Sequence, residues 1–198
     1  MPLGAFKAAL MGTAGVSTAD VVLLHDTDYS GASVASITSG IDSTYGEYIF
    51  KFYNINPATD DIDFGFQVNV AGQSGYNETI TSTMFRAHRR EDGEADPAVQ
   101  YIAAGDQAQG TANQILGIYL GNQADAGMSG VLHLFNPAST TYVKHFYSRK
   151  VHNDGAAPSY CRDEYVGGYV NVTGAIDDIQ FKMSSGNFDG TIKMWGVK

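Results

Sequence analysis

The chain has 198 residues and a formal net charge of −9. One domain, or one domain with an arm, fits that length and buries roughly 70% of its unfolded surface without staples. So acidic a surface repels phosphate backbones and argues against nucleic acid as a partner, and the single cysteine, Cys161, excludes an intrachain disulfide and a cysteine-based zinc site.

Taken in chain order, residues 1–20 read as a small-residue arm. Strand alternation is absent there, and Gly12 and Gly15 weaken any helix. The uncharged run 8–19 is too weakly apolar to span a membrane. Lys7 alone before a glycine-broken stretch is a poor match to a signal peptide. Free termini are ordered only when something holds them. If the arm is ordered, a neighbouring subunit or the chain's own sheet is expected to hold it, with Phe6, Leu10, Met11 and Val16 as the candidate contact residues.

Residues 21–198 read as one β-sandwich domain. Glycine is abundant (23 residues) and charge sparse (17%), which favours many strands joined by glycine turns. Strand signals recur about every ten residues, the spacing of sandwiches and barrels. They fall near 21–25, 33–38, 47–54, 62–70, 79–88, 98–103, 114–120, 130–135, 141–149, 165–172, 176–183 and 189–197. Alternation is cleanest in three places. Tyr48, Phe50 and Phe52 share a face, as do Phe64, Phe66, Val68 and Val70, and again Ile179, Phe181 and Met183. Each such strand is expected to bury one face and wet the other.

Two stretches look like the same hairpin. One runs through Asn56-Pro57-Ala58-Thr59, the other through Asn136-Pro137-Ala138-Ser139. Proline is expected to hold each preceding Asn extended, and the Asn side chains to bond their own backbone. Symmetric pairing of the second would set His133 opposite His145, an incomplete metal site better read as cross-strand packing.

Other candidate chemistry is thin. Asp26-Thr-Asp28-Tyr-Ser30-Gly31 opens like a calcium loop, but Ile37 stands where the bidentate Glu belongs, so an acidic turn is favoured. Asp61 and Asp63 would share a strand face beside Asp60 without a third ligand. Arg86, Arg89 and Arg90 beside Glu91, Asp92, Glu94 and Asp96 read as a solvated loop, with a charged subunit contact as the alternative. Neither a nucleophile elbow nor a phosphate loop is present. No catalytic residue, metal or cofactor is expected. Binding is expected in the loops 71–78, 88–97, 121–130 and 153–162, if the domain binds through loops.

Four strings carry a resemblance: residues 5–16; Ser39 through Pro57; Leu132-His-Leu-Phe-Asn-Pro-Ala-Ser through Tyr147; and Ser185-Gly-Asn-Phe-Asp-Gly-Thr-Ile-Lys-Met-Trp-Gly-Val197. Together the chain resembles small all-β virion proteins of tailed bacteriophages, especially those of marine bacteria. That resemblance implies an antiparallel, jelly-roll-like or concanavalin-like sandwich. It also implies a non-enzymatic role in the virion, produced in the host cytoplasm. The expectation is a capsid decoration or cement protein that binds the major capsid protein and itself, as a homotrimer. The alternative is a tail or tail-fibre component whose Tyr53, Tyr119 and Trp195 stack on host glycans.

Overall fold

The structure is a computed structural model that describes residues 20–94, 96–155 and 158–198. The arm residues Phe6, Leu10, Met11 and Val16 lie outside the described residues.

Among the described residues thirteen strands form two antiparallel sheets packed face to face, so the expected all-β sandwich is what the chain adopts. The large sheet contains β1 (Val21–Ala32), β3 (Glu47–Pro57), β5 (Ile80–Arg90), β6 (Ala98–Tyr101), β7 (Gln107–Gly110), β9 (Met128–Phe135), β10 (Lys144–Asn153), β11 (Tyr160–Val170) and β13 (Phe188–Val197). Its order is β1-β13-β3-β9-β10-β11-β5-β6, with β7 also paired to β5. The small sheet contains β2 (Ala35–Ile37), β4 (Ile62–Val70), β8 (Gln114–Leu120) and β12 (Ile176–Met183), in the order β2-β12-β4-β8.

The core follows the alternation read from the sequence. Phe50 and Phe52 point inward from the large sheet, Phe64, Phe66 and Phe181 from the small one, and all five are buried. Phe181 is the hub: its ring lies 5.2 Å from that of Phe52, nearly edge-on, and 5.5 Å from that of Phe50. Tilted and edge-to-face pairs of this kind add about 0.5–1.5 kcal/mol each to the burial of apolar area.

Several expectations need correction. The first Asn-Pro element is not a hairpin, because β3 belongs to the large sheet and β4 to the small one. The turn carries the chain from one layer to the other. Asn56 is extended inside β3, but its Nδ2 donates to the carbonyls of Gln123 and Ala126 at 2.9 and 2.7 Å rather than to its own backbone. The second element is the β9–β10 hairpin. There Asn136 takes a left-handed backbone (φ 46°), which Asn tolerates, and its carbonyl accepts the Ser139 N–H. The longer loop shifts the register, so His133 faces Tyr147 and not His145.

The acidic motif Asp26–Gly31 is not a turn but part of β1, where Asp26 takes the Lys193 ammonium at 2.8 Å and Asp28 accepts from Thr191. Asp61 sits in the turn before β4 (φ 55°), so only Asp63 is on the strand. Arg86, Arg89 and Arg90 stand on β5 rather than in a loop. Nor does β4 have a wet face. Its Gln67 and Asn69 are buried under the loops that follow, where Gln67 donates to the carbonyls of Glu78, Thr111 and Ala112 and Asn69 accepts the Tyr76 N–H. β7 was not expected, since Gln-Ala-Gln-Gly lacks alternation and pairs only along the edge of β5.

Because Phe181 touches rings from both layers, Phe181→Ala is expected to lower the unfolding free energy by about 3–5 kcal/mol. Urea denaturation of the two proteins measures the difference, and Phe181→Leu should lose less than half as much.

Candidate functional site

Two surfaces stand out, one on each face of the large sheet. The inner face changes character along its length. One cross-strand row reads Phe50, Leu132, Ser148, Val166 and Met84 from β3 to β5. The next reads Phe52, Gly130, Lys150, Glu164 and Arg86, and the one after it ends in His152, Arg162 and His88. Aliphatic core thus gives way to charge within one step of the pleat.

Glu164 is completely buried and bonds the Lys150 ammonium directly. Its Oε2 also accepts the Ile118 N–H at 3.3 Å, while its Oε1 lies 4.0 Å from Arg86 Nη1. Burial pushes the Lys150 ammonium below its ordinary range, and the Glu164 carboxylate opposes that shift. The ammonium occupies a gap left by a glycine: a Cβ on Gly117 would stand 2.3 Å from Lys150 Nζ. Lys150 Nζ is also 3.2 Å from His152 Nδ1. An ammonium only donates, so His152 accepts at Nδ1 and carries its proton on Nε2. Burial, reinforced by Lys150 and Arg162, drives the His152 pKa down to about 2.

Toward solvent this cluster opens into a cavity of about 470 Å³ lined by Asp60, Asp61, Tyr119, Asp154, Pro158, Tyr160 and Arg162. Arg162 places both Nε and Nη2 on Asp154 Oδ2, at 3.1 and 2.7 Å, and its guanidinium lies over the rings of Tyr119 and Tyr160. Tyr119 and Asp61 both have left-handed backbones, at φ 59° and 55°. The Tyr119 N–H reaches Asp63, whose carboxyl is pushed up by burial. Chemically the cavity offers carboxylate acceptors, a guanidinium donor and aromatic rings. The buried acid and base behind it are locked to each other. Among the described residues, no group of three or more His, Cys, Asp or Glu is placed to hold a metal ion.

The outer face of the large sheet carries aromatics where an antiparallel sheet exposed to water ordinarily carries polar side chains. One cross-strand row runs Leu23, Trp195, Ile49, His133, Tyr147, Gly167 and Thr83, from β1 to β5. The neighbouring row ends in Arg149, Tyr165, Phe85 and Tyr101. His133 stacks on Tyr147 at 4.4 Å, and Phe85 on Tyr165 at 4.8 Å with the planes 2° apart. Val99 and Tyr101, at the β6 end, are 76% and 66% exposed. A groove of about 360 Å³ with almost wholly apolar walls lies among Phe85, Tyr147, Tyr165 and Gly167. Above Gly167 is open space, since a Cβ there would meet nothing within 4 Å.

The three proposed stacking residues are not brought together. Tyr53 and Trp195 share the outer face, where Lys193 lies over the first ring and Lys51 over the second, and Trp195 is half-buried. Tyr119 stands in the charged cavity instead. Of the loops expected to bind, 153–162 lines that cavity, together with the turn at Asp60 and Asp61. The cluster escaped notice because the expected strands stopped at 149 and began again at 165. Alternation continued past 149 would have set Lys150 and His152 on the Phe146 side, facing the core. Cys161 is exposed on β11, as a small strand residue. No family model, curated protein or solved structure matches the chain.

Two outcomes follow from the buried cluster. Glu164→Gln strands the Lys150 ammonium and is expected to destabilise the fold by about 3–5 kcal/mol, whereas Lys150→Met with Glu164→Leu should restore most of that loss; urea denaturation at neutral pH measures both. His152 titrates near 6.5 when unfolded and near 2 when folded, so the unfolded chain binds the extra proton between those values. Stability is full above the unfolded value and falls with decreasing pH, by up to about 1.4 kcal/mol per unit from this one group. Thermal melts between mildly acidic and neutral pH should show a shallower acid loss for His152→Gln than for the wild type.

Proposed function

We propose that the chain is a non-enzymatic structural protein of a bacteriophage virion that decorates the capsid and binds through the outer face of its large sheet. The observation that carries the reading is the aromatic outer face itself. Aromatic side chains clustered on a sheet face with no second layer over it among the described residues mark an interaction surface, and aromatic residues with Arg at the margin are the composition of interface centres. The resemblance of four strings to phage virion proteins supplies the identity of the particle, with the major capsid protein and further copies of the chain as partners. An oligomer, expected as a trimer, would bury the patch.

The second reading, a tail or tail-fibre component that touches host glycans, is favoured by the cavity at Tyr119. Carboxylates, a guanidinium and two tyrosines suit the hydroxyls and the apolar ring face of a neutral sugar.

Co-sedimentation with purified particles tests the first reading. Phe85→Asp with Tyr147→Asp is expected to lower the melting temperature by the loss of two ring stacks while the fold is kept at assay temperature, and to abolish incorporation; retained incorporation refutes it. Copy number separates the two placements: hundreds per particle fit decoration, and a dozen or fewer refute it.

A further inference from the structure

We infer that Lys150 and Glu164 condense into an amide, a covalent cross-link between β10 and β11 buried beneath β8. The ion pair described above is the state from which the link forms. It belongs to the inner face and stands apart from the assembly reading of the outer one.

Three observations point there. First, the two side chains are placed as reactants. They stand directly opposite each other in the β10–β11 register and turn inward together, with 1% and 0% of their side chains exposed. The ammonium rests directly on Glu164 Oε2. Gly117 and Gly130 leave the space the lysine fills, since a Cβ on either would collide with it. Reactants held in contact have no encounter to wait for, which favours an intramolecular condensation.

Second, the surroundings suit an amide better than an ion pair. An ammonium has three N–H donors, but among the described residues Lys150 Nζ meets only Glu164 and His152 Nδ1. Glu164 Oε1 and Arg86 Nη1 lie 4.0 Å apart, both buried without a hydrogen-bond partner. The amide has a single N–H, and His152 Nδ1, 3.2 Å from Nζ, stands ready to accept it. The amide oxygen, Oε1, has the Arg86 guanidinium beside it. Linking also removes two charges from a site where each is costly to hold out of water.

Third, the protons and the leaving oxygen have places to go. Burial pushes the Lys150 ammonium below its ordinary range, which eases the passage of one proton to Oε2 of the touching carboxylate. The Nζ lone pair then bonds to Glu164 Cδ, and the carbonyl electron pair moves onto Oε1, which faces Arg86 as an oxyanion faces its donor. Collapse re-forms the carbonyl at Oε1 and breaks the bond from Cδ to Oε2. That oxygen leaves as water, with the first proton and a second one passed from Nζ, while the Ile118 N–H bonds it at 3.3 Å. The step needs no oxidant or co-reactant, and the cavity at Tyr119 and Arg162 receives the water.

Mass spectrometry of the full chain tests the inference. The denatured protein is expected to weigh one water less than its sequence requires, and Lys150→Met to show the full mass. Digestion with trypsin and chymotrypsin together locates the bond. Cleavage after Arg149, Tyr160, Arg162 and Tyr165 excises Cys161 and Arg162, so the link leaves Lys150–Tyr160 joined to Asp163–Tyr165. A wild-type chain of full mass overturns the inference, as does a lost water that maps to any other residues or persists in Lys150→Met. Arg86→Gln, taken as the folded fraction from gel filtration, is expected to contain severalfold less linked chain. An unchanged linked share would refute the role given to Arg86.

Discussion

Among the described residues nine strands face four in this sandwich, and the small sheet cannot cover the whole inner face of the large one. Its edge strand β8 lies against β10 and β11, and β5 and β6 extend beyond it. Beneath that edge strand, one step along β10 and β11, the inward side chains change from Ser148 and Val166 to Lys150 and Glu164, with Arg86 beside them on β5. The Lys150–Glu164 bond closes that margin. Two opposite charges set directly across a strand pair neutralise each other where water no longer does, and Gly117 and Gly130 leave room for the lysine. The cavity at Tyr119 is the solvent side of the same margin.

On the other side of the large sheet the same width has a different consequence. With no layer outside it among the described residues, the face would ordinarily be polar, yet stacked rings stand on it. The pairs Phe85–Tyr165 and His133–Tyr147 bury part of their own surface against each other, which limits the penalty of exposure. The proposed assembly role draws on the apolar area that remains exposed.

Much of the fold was legible in the residues because burial imposes a period of two. Tyr48, Phe50 and Phe52 could point only one way together, and they do. What alternation does not contain is the partner of a strand. The string around Asn56-Pro57 and the string around Asn136-Pro137 look alike, but one bridges the two sheets and the other closes a hairpin within one. Local turn chemistry is the same in both, and long-range pairing with β13 or β12 decides the outcome. Asp26 and Asp28 read as a turn for the same reason: only the opposing Lys193 and Thr191 make them strand residues.

By itself the sequence determined the class of the fold, the inward aromatic set and the scarcity of metal or catalytic chemistry to be argued from spacing. Tertiary structure alone decided which polar residues are buried and which aromatic ones are not. Lys150 and Glu164 are fourteen positions apart and become direct neighbours through the β10–β11 register, just as Trp195, Ile49 and Tyr147 become one row through three strand pairings. Alternation assigns a side chain to one face or the other. Whether that face meets a second sheet, a charge or water depends on how many strands stand opposite.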